Sequence, residues 1–410
     1  MDRIFMRSGM TGIAVVVLAA AFCFIALLPF VEAAGIGPNL VDSTGTLPTN
    51  SRLVFQNPRG LHRYYAFFYN GGDFSWMHRY SADGFTWSDL QSGIDGGFGS
   101  ASLWVYDSGR ELVVHLVASG LVPVGSILYR RGTIADTAEA INWTGIQTVE
   151  PGGSSARTFG LGITRTANGR PVITAVAEVY VAPTYRYEVR GWGANADAPT
   201  PVWTRATLIP SFSVLPTQQT GGYTSAYAGG GNYVFVGESA ARALTSTTSP
   251  WDVSWVRASW DGGLWSAGPV TTFASSESAP RPISIAVDDA LLPNALVVYA
   301  STVAAPLRHY HGTSPDGTTF QSFMVSAQAV TSATLSIDLT STPKKLKAIY
   351  HYGISNIRSK ESPTSPISWG AENTIVWGED TTDLSSAQRD FVGHIHGLAE
   401  SSHGVYYFNL

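Results

Sequence analysis

The chain has almost no cysteine. Its single thiol, Cys23, lies in an apolar run near the N-terminus, so the remainder can form no disulfide, no thiolate metal site and no cysteine nucleophile. Stability must therefore come from packing. Charge is also scarce: Asp, Glu, Lys and Arg make up 13% of the residues, the formal net charge is −5, and no basic run occurs. That balance excludes nucleic acid as a partner. Beyond the first segment, apolar residues never keep a three-to-four spacing past two turns, so no helix is expected there. Neither a linker nor a second domain stands out, and no cofactor is expected.

What is present points to short, well-packed strands joined by tight turns: 42 glycines and 12% aromatic residues. The N-terminus carries Asp2, Arg3 and Arg7, an apolar run from Ile13 to Phe30, and the small-residue stretch Val31-Glu32-Ala33-Ala34. This is the pattern of a secretory signal cleaved near Ala33, leaving residues 34–410 as one domain. Left uncut, the run is also long enough to anchor the chain in a bilayer. Phe22 is too bulky for a lipoprotein cleavage site before Cys23. Either route exports the body, as a secreted or surface-attached protein.

Trp87, Trp143, Trp203, Trp265, Phe320 and Trp369 recur roughly every 50 to 60 residues, each closing a loop rich in Ser, Asp, Gly or Pro. In three repeats the loop is nearly one peptide: Ser81-Ala82-Asp83-Gly84-Phe85-Thr86-Trp87, Ser259-Trp260-Asp261-Gly262-Gly263-Leu264-Trp265 and Ser314-Pro315-Asp316-Gly317-Thr318-Thr319-Phe320. Asp can accept backbone N–H groups two or three residues on, Gly supplies a positive φ, and the aromatic packs down between sheets. Two strand-like runs, a and b, precede each loop; a third, c, leads into it, and a fourth, d, begins at its aromatic. The a and b pairs begin near Arg52, Ala101, Thr158, Thr224, Pro282, Ala333 and Phe391. The fold expected is an all-β propeller of seven blades, or six if one terminal pair is misread. Its last pair, Gly393–Leu398 and Val405–Phe408, ends the chain, so residues 37–50 are expected to join that sheet and close the ring.

The repeated loop resembles the Asp-box of sialidases and related BNR-repeat propellers, Ser-x-Asp-x-Gly-x-Thr-Trp, although Asp and Gly are adjacent here. The stretches Asp136–Trp143, Asp197–Trp203 and Glu361–Trp369 are looser versions. The resemblance implies that the box is structural, so Asp83, Asp261 and Asp316 are not catalytic acids. It also implies an arginine cluster holding a substrate carboxylate, together with a Tyr nucleophile, a Glu partner and an Asp acid. The family's Phe/Tyr-Arg-Ile-Pro is replaced here by Ser51-Arg52-Leu53-Val54.

Loops before strand a and between b and c share one mouth of a propeller's channel, where ligands are expected. Arg52, Arg157, Arg281 and Arg389 each fall at or just before an expected strand a, and their forked donors suit carboxylate or sulfate. Each could equally pair with a local carboxylate or carbonyl. Glu238 and Asp73 are the acids on the same face, although neither matches a family motif. His394 and His396 share a strand face with Asp390, the arrangement of zinc sites on sheets, but no third ligand follows from spacing. Trp192 and Trp260 are the tryptophans expected to be partly exposed. Asn142-Trp143-Thr144 is a glycosylation sequon. No complete catalytic set can be assembled. The expectation is a propeller that binds a glycan, an extracellular polymer or a protein; the alternatives are a sialidase-like glycoside hydrolase and a structural envelope component.

Overall fold

Seven antiparallel sheets follow one another along the chain, and each is built mostly from consecutive strands. The computed structural model describes residues 39–47, 52–120, 123–153, 156–182, 184–214, 222–241, 251–277, 282–288, 290–298, 306–338, 340–352, 356–376, 381–387, 389–390 and 396–409. The N-terminal apolar run and Ala33 lie outside them. The described residues belong to one compact unit, Gly37–Leu410, and none of them is helical.

Blade 3 shows the plan: Ala156–Arg165, Pro171–Val181, Thr184–Ala194 and Trp203–Val214 pair in sequence order as strands a to d. Blade 4 repeats it with Tyr223–Gly230, Tyr233–Ala241, Trp251–Trp260 and Trp265–Glu277. Blade 2 runs from Gly97–Asp107 and blade 5 from Ile283–Val287 as their strands a. Strand b reads as a nearly continuous apolar run because it is buried on both faces; Leu112–Gly120 is buried at every position.

Blade 7 closes the ring with one strand from the N-terminus. Asn39–Asp42 pairs with Gly404–Asn409 (Asn39↔Tyr407, Leu40↔Tyr406), behind His396–Ser401 and the inner strand Thr381–Ser386. The expected pairing is thus corrected by one strand. The runs expected as a and b of the last repeat are b and c, and strand a is the polar segment Thr381–Ser386, in which the Ser385 and Ser386 hydroxyls bond to the two neighbouring blades.

Inner strands of neighbouring blades are laced by a circuit of hydrogen bonds made largely through hydroxyls. Leu103 N donates to Arg52 O (2.8 Å) and Gly160 N to Ser100 Oγ (3.0 Å). Thr224 Oγ1 donates a short hydrogen bond to Gly160 O, and Ile285 N donates to Ser225 Oγ (3.0 Å). Leu335 N donates to Ser284 Oγ (2.9 Å), Leu384 N to Ser332 Oγ (3.2 Å) and Leu53 N to Ser385 Oγ (2.9 Å). Each of the seven blade junctions carries one link. Inner strands too divergent to share a ladder thereby keep their buried amides paired.

The marker aromatics are half-buried, each against the preceding blade. Trp143 meets Phe67 edge-on (6.2 Å between centroids), Trp203 meets Tyr129 (4.9 Å), Phe320 meets Phe273 (5.4 Å) and Trp369 meets His309 (5.4 Å). Trp87 meets Tyr407 across the closure (5.4 Å), and Trp265 Nε1 donates to Thr204 O (3.0 Å). Their loops are turns in the expected sense. Asp83 Oδ1 accepts Phe85 N and Thr86 N (both 2.8 Å), Asp261 Oδ1 accepts Gly263 N and Leu264 N, and Asp316 Oδ1 accepts Thr318 N. The adjacent Gly84, Gly262 and Gly317 have φ of 76°, 105° and 73°. In two of the looser loops the acid reaches the preceding blade instead: Asp136 takes the fork of Arg59 (2.8 and 3.0 Å), Glu139 that of Arg63, and Asp197 binds Arg131 (2.8 Å), whereas Glu361 pairs with Lys345 and Lys347 of its own blade.

Trp192 and Trp260 correct the expectation of exposure: they are 1% and 0% exposed. Trp192 Nε1 donates to Glu150 (3.0 Å) and Trp260 Nε1 to Ala194 O (2.6 Å), so each spends its polar edge on the preceding blade.

Candidate functional site

The two ends of the ring differ in which turns they collect. Turns a–b and c–d, including every marker loop, share one end; turns b–c and the d–a crossings share the other. The sequence reading placed its candidates at the second end. Arg281 lies outside the described residues. Asp73 is exposed in the b–c turn of blade 1, where Asn70 Nδ2 donates to it (3.0 Å). Glu238 is fully buried on strand b of blade 4 and accepts a short hydrogen bond from Ser254 Oγ.

Arg157 opens strand a of blade 3 and is half-buried, directly opposite Glu178 in the ladder. Glu178 in turn accepts a short hydrogen bond from the Tyr187 hydroxyl on strand c. An arginine, a carboxylate and a phenol thus share one row of the sheet. The sequence reading missed this row because its members are about ten to twenty residues apart and only the a–b and b–c pairings together align them. Glu178 is 2% and Tyr187 0% exposed.

Among the described residues, the expected arginines Arg52, Arg157 and Arg389 are not brought together. Arg52 is 5% exposed and lies inside the ring, bound to Ser284 Oγ (2.7 Å), Ile285 O (3.2 Å) and Ala387 O (3.4 Å). Arg389 follows strand a of blade 7 instead of opening it. Its backbone pairs in parallel with Ile337, at the marker-loop end of strand a of blade 6 (Val330–Asp338). The one-strand shift in blade 7 is the reason. The side chains of Arg389 and Asp390, and all of His394, lie outside the described residues. His396 is on strand b rather than on the inner strand, buried, with Nδ1 2.8 Å from the Tyr407 hydroxyl. Among the described residues no group of three His, Cys, Asp or Glu is placed to hold a metal ion.

At the marker-loop end the inner strands diverge around a cavity of about 330 Å³. Its walls are Trp104 and Tyr106 from strand a of blade 2, Arg165 and Thr166 from blade 3, Tyr227 and Gly230 from blade 4, Val287, Asp288 and Leu291 from blade 5, and Lys344 from blade 6. Five consecutive blades therefore contribute, and the cavity is axial. Trp104 and Tyr106 stand on one face of their strand because they are two residues apart. Trp104 meets Tyr227 edge-on at 5.5 Å.

Arg165 is held in place on two sides. Its guanidinium lies 3.8 Å from the centroid of Tyr106, and Nε is 3.4 Å from Asp197. Asp197 also binds Arg131 and takes a short hydrogen bond from the Tyr106 hydroxyl. Burial alone would raise the Asp197 carboxyl, but His115, Tyr106 and Arg131 together hold it below its ordinary value. Burial and the Asp197 carboxylate push the Tyr106 phenol up to about 12, so it remains a donor at neutral pH. Burial raises the Asp288 carboxyl on the opposite wall, against the amide of Leu292 and the side chain of Asn294. The result is a concave site with flat aromatic walls, one oriented guanidinium, an ammonium and a carboxyl group. This set can stack on an apolar ring face and hydrogen-bond hydroxyls around its rim.

No family model matches this chain, and no curated protein is similar to it. Solved structures are. A polysaccharide lyase described as an ulvan lyase of a new family is similar over 91% of this chain and 95% of its own, with a TM-score of 0.53 at 12% identity. Trypanosoma rangeli sialidase in complex with sialic acid is similar over 90% of this chain and 59% of its own (TM-score 0.47, 9% identity). Aleuria aurantia lectin in complex with α-methyl-L-fucoside is similar over 82% and 97% (TM-score 0.45, 12% identity). The structural neighbours of this seven-bladed propeller thus include a lyase, a sialidase and a lectin, and at these identities the likeness is one of fold.

Proposed function

We propose that this protein is an exported saccharide-binding propeller whose ligand seats in the axial cavity at the marker-loop end. The observation that carries the reading is the wall set itself. Trp104, Tyr106 and Tyr227 supply apolar faces, and Arg165, fixed between Tyr106 and Asp197, supplies a preorganised donor. A volume of about 330 Å³ suits one or two sugar residues rather than a protein segment. That a structural neighbour with a TM-score of 0.53 is a polysaccharide lyase supports a carbohydrate ligand. The arrangement contributes binding and orientation.

A glycan array followed by calorimetric titration tests this. Binding by the wild type that weakens at least tenfold in Arg165→Ala and Lys344→Ala is the expected result. Binding that both variants retain in full would move the site elsewhere. A second reading, glycoside hydrolysis, is favoured by the row of Arg157, Glu178 and Tyr187 at the other end. Turnover of fluorogenic glycosides, sialosides included, that is abolished by Tyr187→Phe would replace the binding reading with the hydrolytic one.

A further inference from the structure

Arg52 is a buried cation that no carboxylate neutralises among the described residues. It leaves blade 1, crosses the axis and hydrogen-bonds to blade 5 through Ser284 and Ile285, and to Ala387 beside blade 7. These acceptors are two carbonyls and a hydroxyl, all uncharged. Among the described residues the one ionisable side chain acting on it is Tyr227, itself a neutral phenol at physiological pH. Its Nε is buried and has no hydrogen-bond partner.

Deprotonation does not remove the charge. Burial lowers the guanidinium only to about 10, so Arg52 remains cationic at neutral pH. A buried, uncompensated charge is among the most destabilising features a fold can carry, and an orphaned donor adds to it. Buried hydroxyls from the inner strands of blades 6 and 7 reach an acceptor that Arg52 shares: Ser336 Oγ and Ser386 Oγ donate to Ala387 O, which also accepts Arg52 Nη1. Thr334 Oγ1 lies 2.7 Å and Ser336 Oγ 3.0 Å from Ser386 Oγ, and Ser284 binds Arg52 directly. Hydroxyl rotors can turn toward an anion.

We propose that the axis of the ring is an anion site, in which a singly charged anion of halide size neutralises Arg52 and is held by its Nε–H and these hydroxyls. A halide and the carboxylate of an acidic sugar share this chemistry. The 5% exposure of Arg52 favours the halide, since a sugar ring has no room to approach. Tyr227 acts on Arg52 and also lines the saccharide cavity, but the anion site does not rest on the saccharide reading.

The test is thermal unfolding of the intact protein at constant ionic strength, with sodium gluconate replaced stepwise by sodium chloride, bromide or glucuronate, together with anomalous diffraction from crystals grown in bromide. The midpoint is expected to rise by roughly 2–5 °C as halide goes from the low millimolar range to a few hundred millimolar. A bromide peak is expected within hydrogen-bonding distance of Arg52. Arg52→Gln, where it folds, is expected to lose the halide dependence; where it does not fold, the bromide map on the wild type decides. Identical midpoints in all salts, or bromide at the surface only, would overturn the proposal. A rise in glucuronate without one in halide overturns the halide and assigns the charge to a ligand carboxylate.

Discussion

The guanidinium of Arg165 lies flat on the ring of Tyr106, 3.8 Å from its centroid, while Asp197 from the following marker loop grips both residues. One acidic loop residue in blade 3 therefore orients a cation and a phenol of the axial cavity. Asp197→Asn would keep the shape but remove the charge that fixes Arg165. A tenfold or greater loss of saccharide affinity is expected by calorimetry, carried mainly by the dissociation rate. Tyr106→Phe, which keeps the aromatic face, is expected to cost less.

The marker aromatics are inter-blade packing elements, and their removal should read out as stability. Trp203→Ala deletes a half-buried indole lodged against Tyr129. A loss of about 3 kcal/mol is expected by chemical denaturation, the low end for Trp→Ala because the ring is only half covered. Glycan binding should be retained under conditions where the variant is folded. An equal loss of binding at full stability would contradict the packing role.

The hydroxyl circuit makes a different prediction. Ser385→Ala removes the acceptor of the buried Leu53 N–H at the junction between the last blade and the first. Leaving that amide unpaired should cost about 1–3 kcal/mol. Because this junction also depends on Asn39–Asp42, deleting residues 39–42 in the same background should lower cooperativity as well as midpoint. Amide exchange at Leu53 is the direct readout.

What the sequence disclosed, and what it concealed, divides along local and non-local lines. The turn of Ser81, Asp83 and Gly84 is written within seven residues, so the blade period and the structural role of the box could be read directly. The closure followed from counting strands. Thr381–Ser386 did not look like a strand because its hydroxyls serve neighbouring blades instead of an apolar layer, and missing it moved Arg389 to the wrong end. Trp192 and Trp260 seemed available for stacking, but their partners Glu150 and Ala194 belong to the preceding blade. The axial cavity takes one to three residues from each of five blades, with spacings that no motif records. The serines at 225, 284, 332 and 385, one at the same inner-strand role in four successive blades, were a signal that could have been found.

Glu400 couples ring closure to pH. Its carboxylate accepts Leu47 N (2.5 Å) from the segment that follows the closing strand, and burial, aided by the nearby Asp383 carboxylate, raises its pKa from 4.5 to about 7. The native state therefore holds a proton that the unfolded chain releases between those values. The stability this contributes is fully present below about pH 4.5 and is lost as pH rises through about 7. One pKa unit corresponds to about 1.4 kcal/mol, which sets a ceiling of roughly 3 kcal/mol on the loss. Glu400→Gln keeps a neutral acceptor for Leu47 and removes the titration. It should match the wild type near pH 5 and exceed it at pH 8, with the difference growing across that interval in denaturation series. Parallel curves for the two proteins from pH 5 to 8 would show that Glu400 is already ionised in the folded ring, with Leu47 N–H sufficient to hold its charge.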